Sequence, residues 1–226
     1  MTRSVVQVLC EPHWFKGSLD DLAAVRKAVE PMGADRPALL RKDFLLDEYQ
    51  LWEARLYGAD TVLLIVAILN DEQLTTLMAQ SRAMGMEPLV EVANAGEMKR
   101  ALALNARIIG INNRNLHDFT VDMGNTTTLT SGLGKPPAPP RVLSVSERCP
   151  SARSNRAFAN RSCAACLCIA DMGGATIFLA LSGITGPESV SPYKSAGVHG
   201  VLVGEALMRS EDPMALVDAM RTAPAM

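Results

Sequence analysis

Short apolar runs alternate with amphipathic stretches along most of this chain, and that alternation restricts the possible folds more than any other feature of the sequence. Runs of this kind are typical of buried strands in a parallel sheet that is covered on both faces. We predict strands at Ser4–Leu9, Pro37–Arg41, Thr61–Val66, Pro88–Val92, Ile108–Ile111, Ile177–Leu181 and Val198–Val203.

Helical periodicity fills most of the gaps between these runs. The predicted helices are Leu19–Val29, Asp47–Tyr57, Asp71–Met84, Ala95–Leu104, Pro187–Ala196 and Pro213–Met220. Asn70, with Gln73 three residues later, predicts a capping box at the start of one helix. Gly58, Gly85 and Gly197 each follow a predicted helix, where a left-handed residue commonly ends it. Strand alternating with helix indicates a parallel α/β fold.

A closed β/α barrel is the architecture that we predict from this alternation. No Gly-x-Gly-x-x-Gly turn follows a predicted strand, which removes the main argument for a doubly wound nucleotide-binding fold. The length of 226 residues fits one barrel domain. A complete barrel has eight strands, and seven are predicted here, so we expect residues 1–226 to form a single barrel domain that lacks its first strand.

Composition excludes several classes of protein. The net charge is −2, so the sequence offers no global basic field for nucleic acid or an anionic membrane. The longest apolar stretch, Val62–Leu69, is too short to cross a bilayer, and the first residues lack a signal-peptide pattern. Five cysteines are neither dense nor even in number. We therefore expect a reduced, cytoplasmic protein without structural disulfides.

Polar and charged residues follow the apolar runs at the places where a barrel enzyme carries its chemistry. Lys42 closes one predicted strand, Glu91 lies within another, Asn112 and Arg114 follow a third, and Ser182 follows a fourth. The carboxyl ends of the strands meet at one face of a β/α barrel, and active sites are built there. The pattern therefore predicts an enzyme.

Several motifs, in their order along the chain, resemble those of indole-3-glycerol-phosphate synthase. They are Val8-Leu-Cys-Glu-Pro-His-Trp-Phe-Lys-Gly-Ser18, Leu40-Arg-Lys-Asp-Phe44, Leu63-Leu-Ile-Val66, Pro88-Leu-Val-Glu-Val92, Ile109-Gly-Ile-Asn-Asn-Arg-Asn-Leu116, Leu181-Ser-Gly-Ile184 and Leu202-Val-Gly-Glu-Ala-Leu-Met208. The likeness is greatest to the synthase domain of fungal multifunctional tryptophan-biosynthesis proteins. It implies a ribulose-phosphate-binding type of (β/α)8 TIM barrel.

The resemblance also implies a reaction and a set of catalytic residues. The reaction is the decarboxylating, dehydrating ring closure of 1-(2-carboxyphenylamino)-1-deoxyribulose 5-phosphate to indole-3-glycerol phosphate, with no organic cofactor and no metal. Lys42 matches the family's acid, Glu91 its acid-base glutamate, and Asn112 a residue that hydrogen-bonds the substrate. From the residues alone, Lys42 could instead be a solvated lysine paired with Asp43.

The remaining contacts implied by the resemblance orient the substrate. Arg114 would help to hold its carboxylate, a task suited to a guanidinium fork, and Phe15 and Phe44 would pack against the anthranilate ring. The phosphate would lie at Ser182 and Gly183, and at Gly204 and Glu205, where we expect backbone N–H groups at the starts of short helices. Asn113 and Asn115 are interpreted as turn residues.

The family's first strand carries a Glu-x-Lys pair followed by Ser-Pro-Ser-Lys-Gly, and nothing before Ser4 matches it. An alternative function therefore stays open: a catalytically inactive barrel fragment that binds phosphate or needs a complementing first βα unit. Phosphoribosylanthranilate isomerase is a weaker enzymatic rival, against which the Glu91 and Asn112 motifs argue. The partners we expect are a phosphorylated small molecule and other tryptophan-pathway domains.

The stretch 134–174 interrupts the rhythm of strands and helices. It is rich in Pro, Ser, Arg, Ala and Cys and has no sustained period, so we predict a disordered or non-native insert. Cys163, Cys166 and Cys168, with Cys149, offer one zinc-like spacing. Unpaired thiols are the better interpretation, because the Cys-x-Cys spacing is crowded and no histidine lies nearby.

Overall fold

The computed structural model describes residues 5–115, 120–131, 133 and 176–223. The chain divides into two compact units, and the division falls between Leu89 and Val90. The first unit contains the described residues 5–89, and the second contains those from 90 onwards. The predicted insert at 134–174 lies outside the described residues.

The first unit consists of three strands, each followed by a helix. They are β1 (Val5–Leu9), α1 (Leu19–Val29), β2 (Ala38–Lys42), α2 (Glu48–Leu56), β3 (Thr61–Ile65) and α3 (Asp71–Ala83), with short 3-10 turns at Glu30–Asp35 and Val66–Ile68. β1 pairs with β2, and β2 with β3, all in parallel. Parallel pairing brings the carboxyl ends of these strands to one edge.

The second unit continues the same alternation. Its elements are β4 (Leu89–Val92, which begins one residue before the division), α4 (Ala95–Ala103), β5 (Ile108–Asn112), α5 (Asn125–Ser131), β6 (Ile177–Leu181), α6 (Pro187–Ser195), β7 (Gly200–Leu202), α7 (Glu205–Arg209) and α8 (Pro213–Thr222). β5 pairs with β6, and β6 with β7, in parallel.

Local hydrogen bonds explain why several helices begin where they do. The predicted capping box is confirmed at α3, where the Asn70 side chain accepts from the Gln73 N–H and the Gln73 side chain accepts from the Asn70 N–H. Asp47 and Gln50 form a second box at α2 that the sequence analysis did not identify. Each box satisfies N–H groups that a helix start leaves without partners.

The ends of three helices also follow the sequence prediction. Gly58, Gly85 and Gly197 lie just beyond α2, α3 and α6, with φ angles of 98°, 76° and 74°. Backbone in this left-handed region is strained for any residue that carries a Cβ atom. Glycine at these positions therefore ends each helix at little conformational cost.

A buried ion pair joins the amino-terminal ends of β2 and β3 in the first unit. Asp60 receives two hydrogen bonds from the Arg36 guanidinium, at 2.5 and 2.7 Å, and one from the Leu39 N–H at 2.9 Å. The side chains of Asp60 and Arg36 are only 1% and 6% exposed, so both charges depend on this pairing. This contact fixes the strand ends opposite to those that carry Lys42.

Each unit also buries its own apolar side chains. Those of the first unit include Leu22, Leu39, Leu40, Leu51, Val62 and Leu74, all of them essentially inaccessible. A cluster in the second unit consists of Ala180, Ile184, Val190, Tyr193, Met220 and Ala223. Among the described residues, no helix is long and apolar enough to cross a membrane.

All seven predicted strands are present, and no strand end differs from its prediction by more than two residues. Lys42 and Asn112, predicted to follow strands, are the last residues of β2 and β5. One helix, α5, was not predicted, because Asn125 is followed by three threonines, which have low helix propensity. Tertiary hydrogen bonds stabilise it instead: the Asn125 amide donates to the carbonyls of Ala93 and Asn112.

Candidate functional site

Three predicted site residues come together in the first unit. Lys42 ends β2, and Phe15 and Phe44 lie in the loops after β1 and β2. The two rings stack with centroids 5.8 Å apart and an interplanar angle of 22°, and the Lys42 Nζ lies 6.0 Å from the Phe15 centroid. Both rings keep more than a third of their surface exposed, so they can pack against a further planar group.

Glu11 holds the loop that carries Phe15, a role that the sequence analysis missed. Its carboxylate accepts hydrogen bonds from the backbone N–H groups of His13, Trp14 and Phe15. Desolvation raises the pKa of Glu11, but these three N–H donors together outweigh it and hold the pKa below its usual value. The local signal was an acid placed two to four residues before the amides that it binds.

A second carboxylate organises the turn after β2. Asp43 accepts two hydrogen bonds from the guanidinium of Arg41, at 2.7 and 3.1 Å, and one from the Phe44 N–H at 2.8 Å. Arg41 is itself buried and also donates to the Gln50 carbonyl. These contacts fix the backbone on both sides of Lys42 and thereby restrict where its ammonium group can go.

A buried carboxylate and amide form the centre of the site in the second unit. Glu91, within β4, is 3% exposed, and Asn112, at the end of β5, is 6% exposed. The Asn112 Nδ2 donates to the Glu91 Oε1 at 2.9 Å, and its Oδ1 accepts from the Arg114 N–H at 2.9 Å. The Asn112 amide therefore links the acid to the backbone of Arg114.

Arg114 lies just beyond β5 and is partly buried. Its backbone forms an isolated antiparallel bridge with Val121, on the return of the same loop. The loop after β5 is thus attached both to the Asn112 side chain and to its own returning segment. The backbone of Arg114 is therefore held in place just beyond the carboxyl end of β5.

The Ser182-Gly183 turn after β6 has an unusual backbone. Ser182 has a φ of 66° and Gly183 a φ of 76°. The prediction that these residues start a short helix is wrong, because α6 begins at Pro187 with Gly186 as its N-cap. A left-handed turn separates the strand from the helix. Its N–H groups, rather than a helix terminus, are what this segment can offer to an anion.

Gly204 and Glu205 do lie at the start of a short helix, as expected. Gly204 is the N-cap of α7, and Glu205 is its first residue. The Glu205 side chain is exposed and accepts from the Arg209 side chain at 3.0 Å. Any anion contact here would come from the backbone, because a carboxylate side chain repels phosphate.

The interpretation of Asn113 as a simple turn residue is wrong. Its side chain is buried, donates to the Ser182 carbonyl and the Tyr193 hydroxyl, and accepts from Thr126. Two of these partners lie 69 and 80 residues further along the chain. The sequence carried no signal for such contacts, because an Asn-Asn pair after a strand is typical of turns.

The cysteines of the zinc hypothesis, Cys149, Cys163, Cys166 and Cys168, lie outside the described residues. Cys10 is described, and it is buried at the end of β1 with its thiol donating to the Val8 carbonyl. Among the described residues, no group of three or more potential ligands is placed to hold a metal ion.

Parallel strands that each lead into a helix define the class of β/α-barrel proteins, and charged and amide side chains lie at the carboxyl ends of several strands here. Solved structures agree on the fold. A 3-hexulose-6-phosphate synthase structure matches with a TM-score of 0.63 and 16% identity, covering 97% of this chain and 87% of that chain. A structure described as native KDPGal matches with a TM-score of 0.55 and 16% identity, covering 98% and 83%. The predicted TIM-barrel fold is confirmed, with seven strands among the described residues.

The family follows from the sequence. The model of the family described as indole-3-glycerol phosphate synthase matches residues 2–148 and 167–220, and the chain belongs to that family. Residues 149–166 lie outside the match, within the predicted insert.

Curated relatives carry related names. The multifunctional tryptophan biosynthesis protein of Schizosaccharomyces pombe is 49% identical over 212 residues, covering 94% of this chain and 23% of that protein. The one from Phanerodontia chrysosporium is 46% identical over 221 residues, covering 98% and 23%. The indole-3-glycerol phosphate synthase of Kineococcus radiotolerans is 41% identical over 210 residues, covering 93% and 60%. The chain thus spans about a quarter of the fungal relatives.

Proposed function

We propose that this chain catalyses the indole-3-glycerol-phosphate synthase reaction of tryptophan biosynthesis. The reaction closes a pyrrole ring on 1-(2-carboxyphenylamino)-1-deoxyribulose 5-phosphate and releases carbon dioxide and water, which makes the enzyme a carboxy-lyase. Membership of the family supports this proposal. The single observation that carries it is the buried Glu91 carboxylate near the carboxyl end of β4, which accepts a hydrogen bond from the Asn112 side chain.

Lys42 is the acid in this proposal. Ring closure requires attack of the aromatic carbon on the substrate carbonyl, and a proton donor at the carbonyl oxygen stabilises the developing negative charge. The Lys42 ammonium can donate that proton from the end of β2. Its backbone is fixed by the Arg41–Asp43 contact, so less freedom is lost when it meets the substrate.

Glu91 is the acid-base group of the later steps. After carbon dioxide leaves, the ring must lose a proton and a hydroxyl group, and one carboxyl group can serve both transfers. Asn112 holds the Glu91 oxygen by its amide N–H and is the proposed hydrogen-bond partner of the substrate. Because all steps are proton transfers and bond rearrangements without net redox change, the proposal includes no cofactor and no metal.

The proposed binding contacts divide the substrate into three parts. The Arg114 guanidinium holds the aromatic carboxylate, and the stacked rings of Phe15 and Phe44 pack against the anthranilate ring. Ser182, Gly183, Gly204 and Glu205 receive the phosphate through backbone N–H groups. Support for the last contact comes from the left-handed turn at Ser182 and Gly183 and from the short helix that follows Gly204.

The alternative is a barrel fragment that binds phosphate or needs a complementing first βα unit, and features of β1 favour it. Val5, Val6 and Leu9 are 48%, 38% and 40% exposed, which is high for apolar strand residues. The Gln7 Oε1 is buried and has no hydrogen-bond partner among the described residues. A strand added beside β1 could cover the exposed apolar side chains and donate a hydrogen bond to the Gln7 Oε1.

One assay separates the two functions. Formation of indole-3-glycerol phosphate is measured with the purified chain alone and with an added peptide that carries the family's first βα unit. Turnover by the chain alone supports the synthase proposal as stated. Turnover that requires the peptide supports the complementation alternative, and phosphate binding without turnover in either case supports the inactive fragment.

Lys42→Met is the site-specific test in whichever preparation is active. We expect turnover to fall by about 10²-fold or more, because a positioned proton donor is removed. Lys27→Met is the matched control, since Lys27 lies exposed on α1 and should leave turnover unchanged. Equal activity of the two variants would remove Lys42 from the proposed role.

The proposal also places this chain with other tryptophan-pathway domains. The relatives from Schizosaccharomyces pombe and Phanerodontia chrysosporium are named as multifunctional tryptophan biosynthesis proteins, and the matched part is 23% of each. If this chain is fused to or associated with such domains, a neighbouring enzyme domain would supply its substrate. Co-purification of the chain with other enzymes of this pathway from its source cells tests this association.

A further inference from the structure

Asn113 uses the full hydrogen-bonding capacity of its side chain. Its Nδ2 donates to the Ser182 carbonyl at 3.1 Å and to the Tyr193 hydroxyl at 2.9 Å. Its Oδ1 accepts from the Thr126 hydroxyl at 2.8 Å and from the Thr126 N–H at 3.3 Å. A primary amide can make four such bonds, and all four are made here at a residue that is 2% exposed.

These contacts join three segments of the second unit to the end of β5. Ser182 lies in the turn after β6, Thr126 in the first turn of α5, and Tyr193 on α6. The Tyr193 hydroxyl extends this hydrogen-bond network, because it donates to the Met123 carbonyl at 3.0 Å. Burial raises the pKa of Tyr193, so the phenol stays protonated and keeps this donor at neutral pH.

The turn connected in this way is strained and closely packed. Ser182 has a φ of 66°, in the left-handed region where a residue with a Cβ atom is strained. A Cβ atom on Gly183 would lie 2.5 Å from the Met123 Sδ and 2.7 Å from a Val121 methyl group. The Asn113 amide holds one side of the turn through the Ser182 carbonyl, and the loop before α5 packs against the other.

We propose that Asn113 and Tyr193 are positioning residues that hold the Ser182-Gly183 turn in its phosphate-binding conformation. The inference rests on the proposed function, since it takes the phosphate contact at that turn as given. Neither side chain needs to touch the substrate. They act because an N–H group binds an anion well only when its direction is fixed in advance, and the amide–phenol pair supplies bonds that compensate for the strain.

The test measures the contribution of the phosphate group alone. Dissociation constants are determined for indole-3-glycerol phosphate and for indole-3-glycerol, which lacks the phosphate. The Kd of indole-3-glycerol is divided by the Kd of indole-3-glycerol phosphate, and this ratio is compared between variants. In Asn113→Ala we expect the ratio to fall about tenfold, because the Ser182 carbonyl loses its donor and the turn relaxes. In Tyr193→Phe, which keeps the buried ring, we expect a fall of about threefold or more.

A matched control separates positioning from general stability. Ser81 is fully buried in the first unit, and its hydroxyl donates to the Met86 carbonyl at 2.6 Å. Ser81→Ala should lower the melting temperature to a similar extent and leave the ratio unchanged.

Three outcomes are informative. A lower ratio in both variants but not in the control supports the inference. A wild-type ratio well above one that stays unchanged in both variants overturns the inference and leaves the proposed function intact. A wild-type ratio near one would show that no phosphate site exists, which removes the phosphate contact of the proposed function and this inference together.

Discussion

Glu91 is the residue at which burial and chemistry conflict most strongly. It lies in a strand whose other residues are apolar and buried, and it is 3% exposed. An isolated buried carboxylate is costly, and the Asn112 amide N–H offsets part of that cost. An apolar residue would serve a purely structural role equally well, so the buried carboxylate fits the proton-transfer role that we propose for it.

Glu91→Gln tests that interpretation. Glutamine keeps the shape and can still hydrogen-bond Asn112, but it can neither accept nor release a proton at neutral pH. We expect kcat to fall by about 10³-fold while KM stays within about threefold. The measurement is steady-state product formation, with Glu72→Gln on the exposed start of α3 as the control. An unchanged kcat in Glu91→Gln would contradict the assigned role.

Cys10 supplies a pH-dependent contribution to stability. Burial raises the pKa of its thiol from 9.0 to about 11, against a smaller opposing effect of the nearby Arg41 guanidinium. In the unfolded chain the thiol loses its proton near pH 9, whereas the folded protein retains it to about pH 11. The folded state therefore binds more protons in this interval, and its stability falls as the pH rises through it.

We expect Cys10→Ala to remove that dependence. The free energy of unfolding of the wild type should fall by up to about 2 kcal/mol more than that of Cys10→Ala between pH 9 and pH 11. Urea unfolding of both proteins at several pH values provides the comparison, and all other titrating groups cancel because the proteins differ at one position. Parallel stability curves would refute the prediction.

At the scale of the elements, two helices end in glycines of the same conformation but different surroundings. Gly58 follows α2 and Gly85 follows α3, with φ angles of 98° and 76°. A Cβ atom on Gly58 would lie 2.5 Å from the Arg26 Cγ, whereas one on Gly85 would meet no atom within 4 Å. The pair therefore separates backbone strain from packing.

Alanine at each position should have a different cost. Gly85→Ala should destabilise the protein by about 1 kcal/mol, from backbone strain alone. Gly58→Ala should cost about 2–3 kcal/mol, because Arg26 must also move away from its contacts with Glu30 and Asp60. Denaturant unfolding of both variants provides the values. Equal losses would show that Arg26 adjusts freely and that strain alone decides.

Elements of this protein could be predicted from sequence more reliably than the contacts between them. The strands follow from short apolar runs, and the capping box of α3 from Asn70 and Gln73, because these signals act over a few residues. α5 was missed because its own residues are poor helix formers. It is stabilised by hydrogen bonds from the Asn125 side chain to the Ala93 carbonyl and from the Thr126 hydroxyl to the Asn113 side chain. No local sequence pattern predicts these distant partners.

At the scale of the whole molecule, β1 is the strand, among those described, that exposes large apolar side chains. Val5, Val6 and Leu9 lie on it, with exposures of 38–48%. β1 is also the first strand in the sheet order, and an edge strand with exposed apolar side chains is a template for pairing with a second chain. We therefore expect the isolated chain to self-associate as its concentration rises.

Val6→Lys should weaken this association, because a charge on the strand disfavours pairing with another apolar surface. Light scattering across a concentration series measures it, and Ile68→Lys is the control, since Ile68 has similar exposure (40%) but follows β3. Addition of the first βα peptide should have the same effect as Val6→Lys if the complementation alternative holds. A monodisperse wild-type monomer at all concentrations would contradict this prediction.

What the sequence determined by itself was the fold class, the family, and the identities of the residues at the strand ends. Lys42, Glu91 and Asn112 could be named from the sequence because the alternation of strand and helix places certain positions at carboxyl ends of strands. Only the tertiary structure decided that Asn113 joins β5 to Ser182 and Tyr193, and that Ser182 and Gly183 form a left-handed turn. The reason is that periodicity and capping are properties of neighbouring residues, whereas these hydrogen bonds connect residues that come together only when the second unit folds.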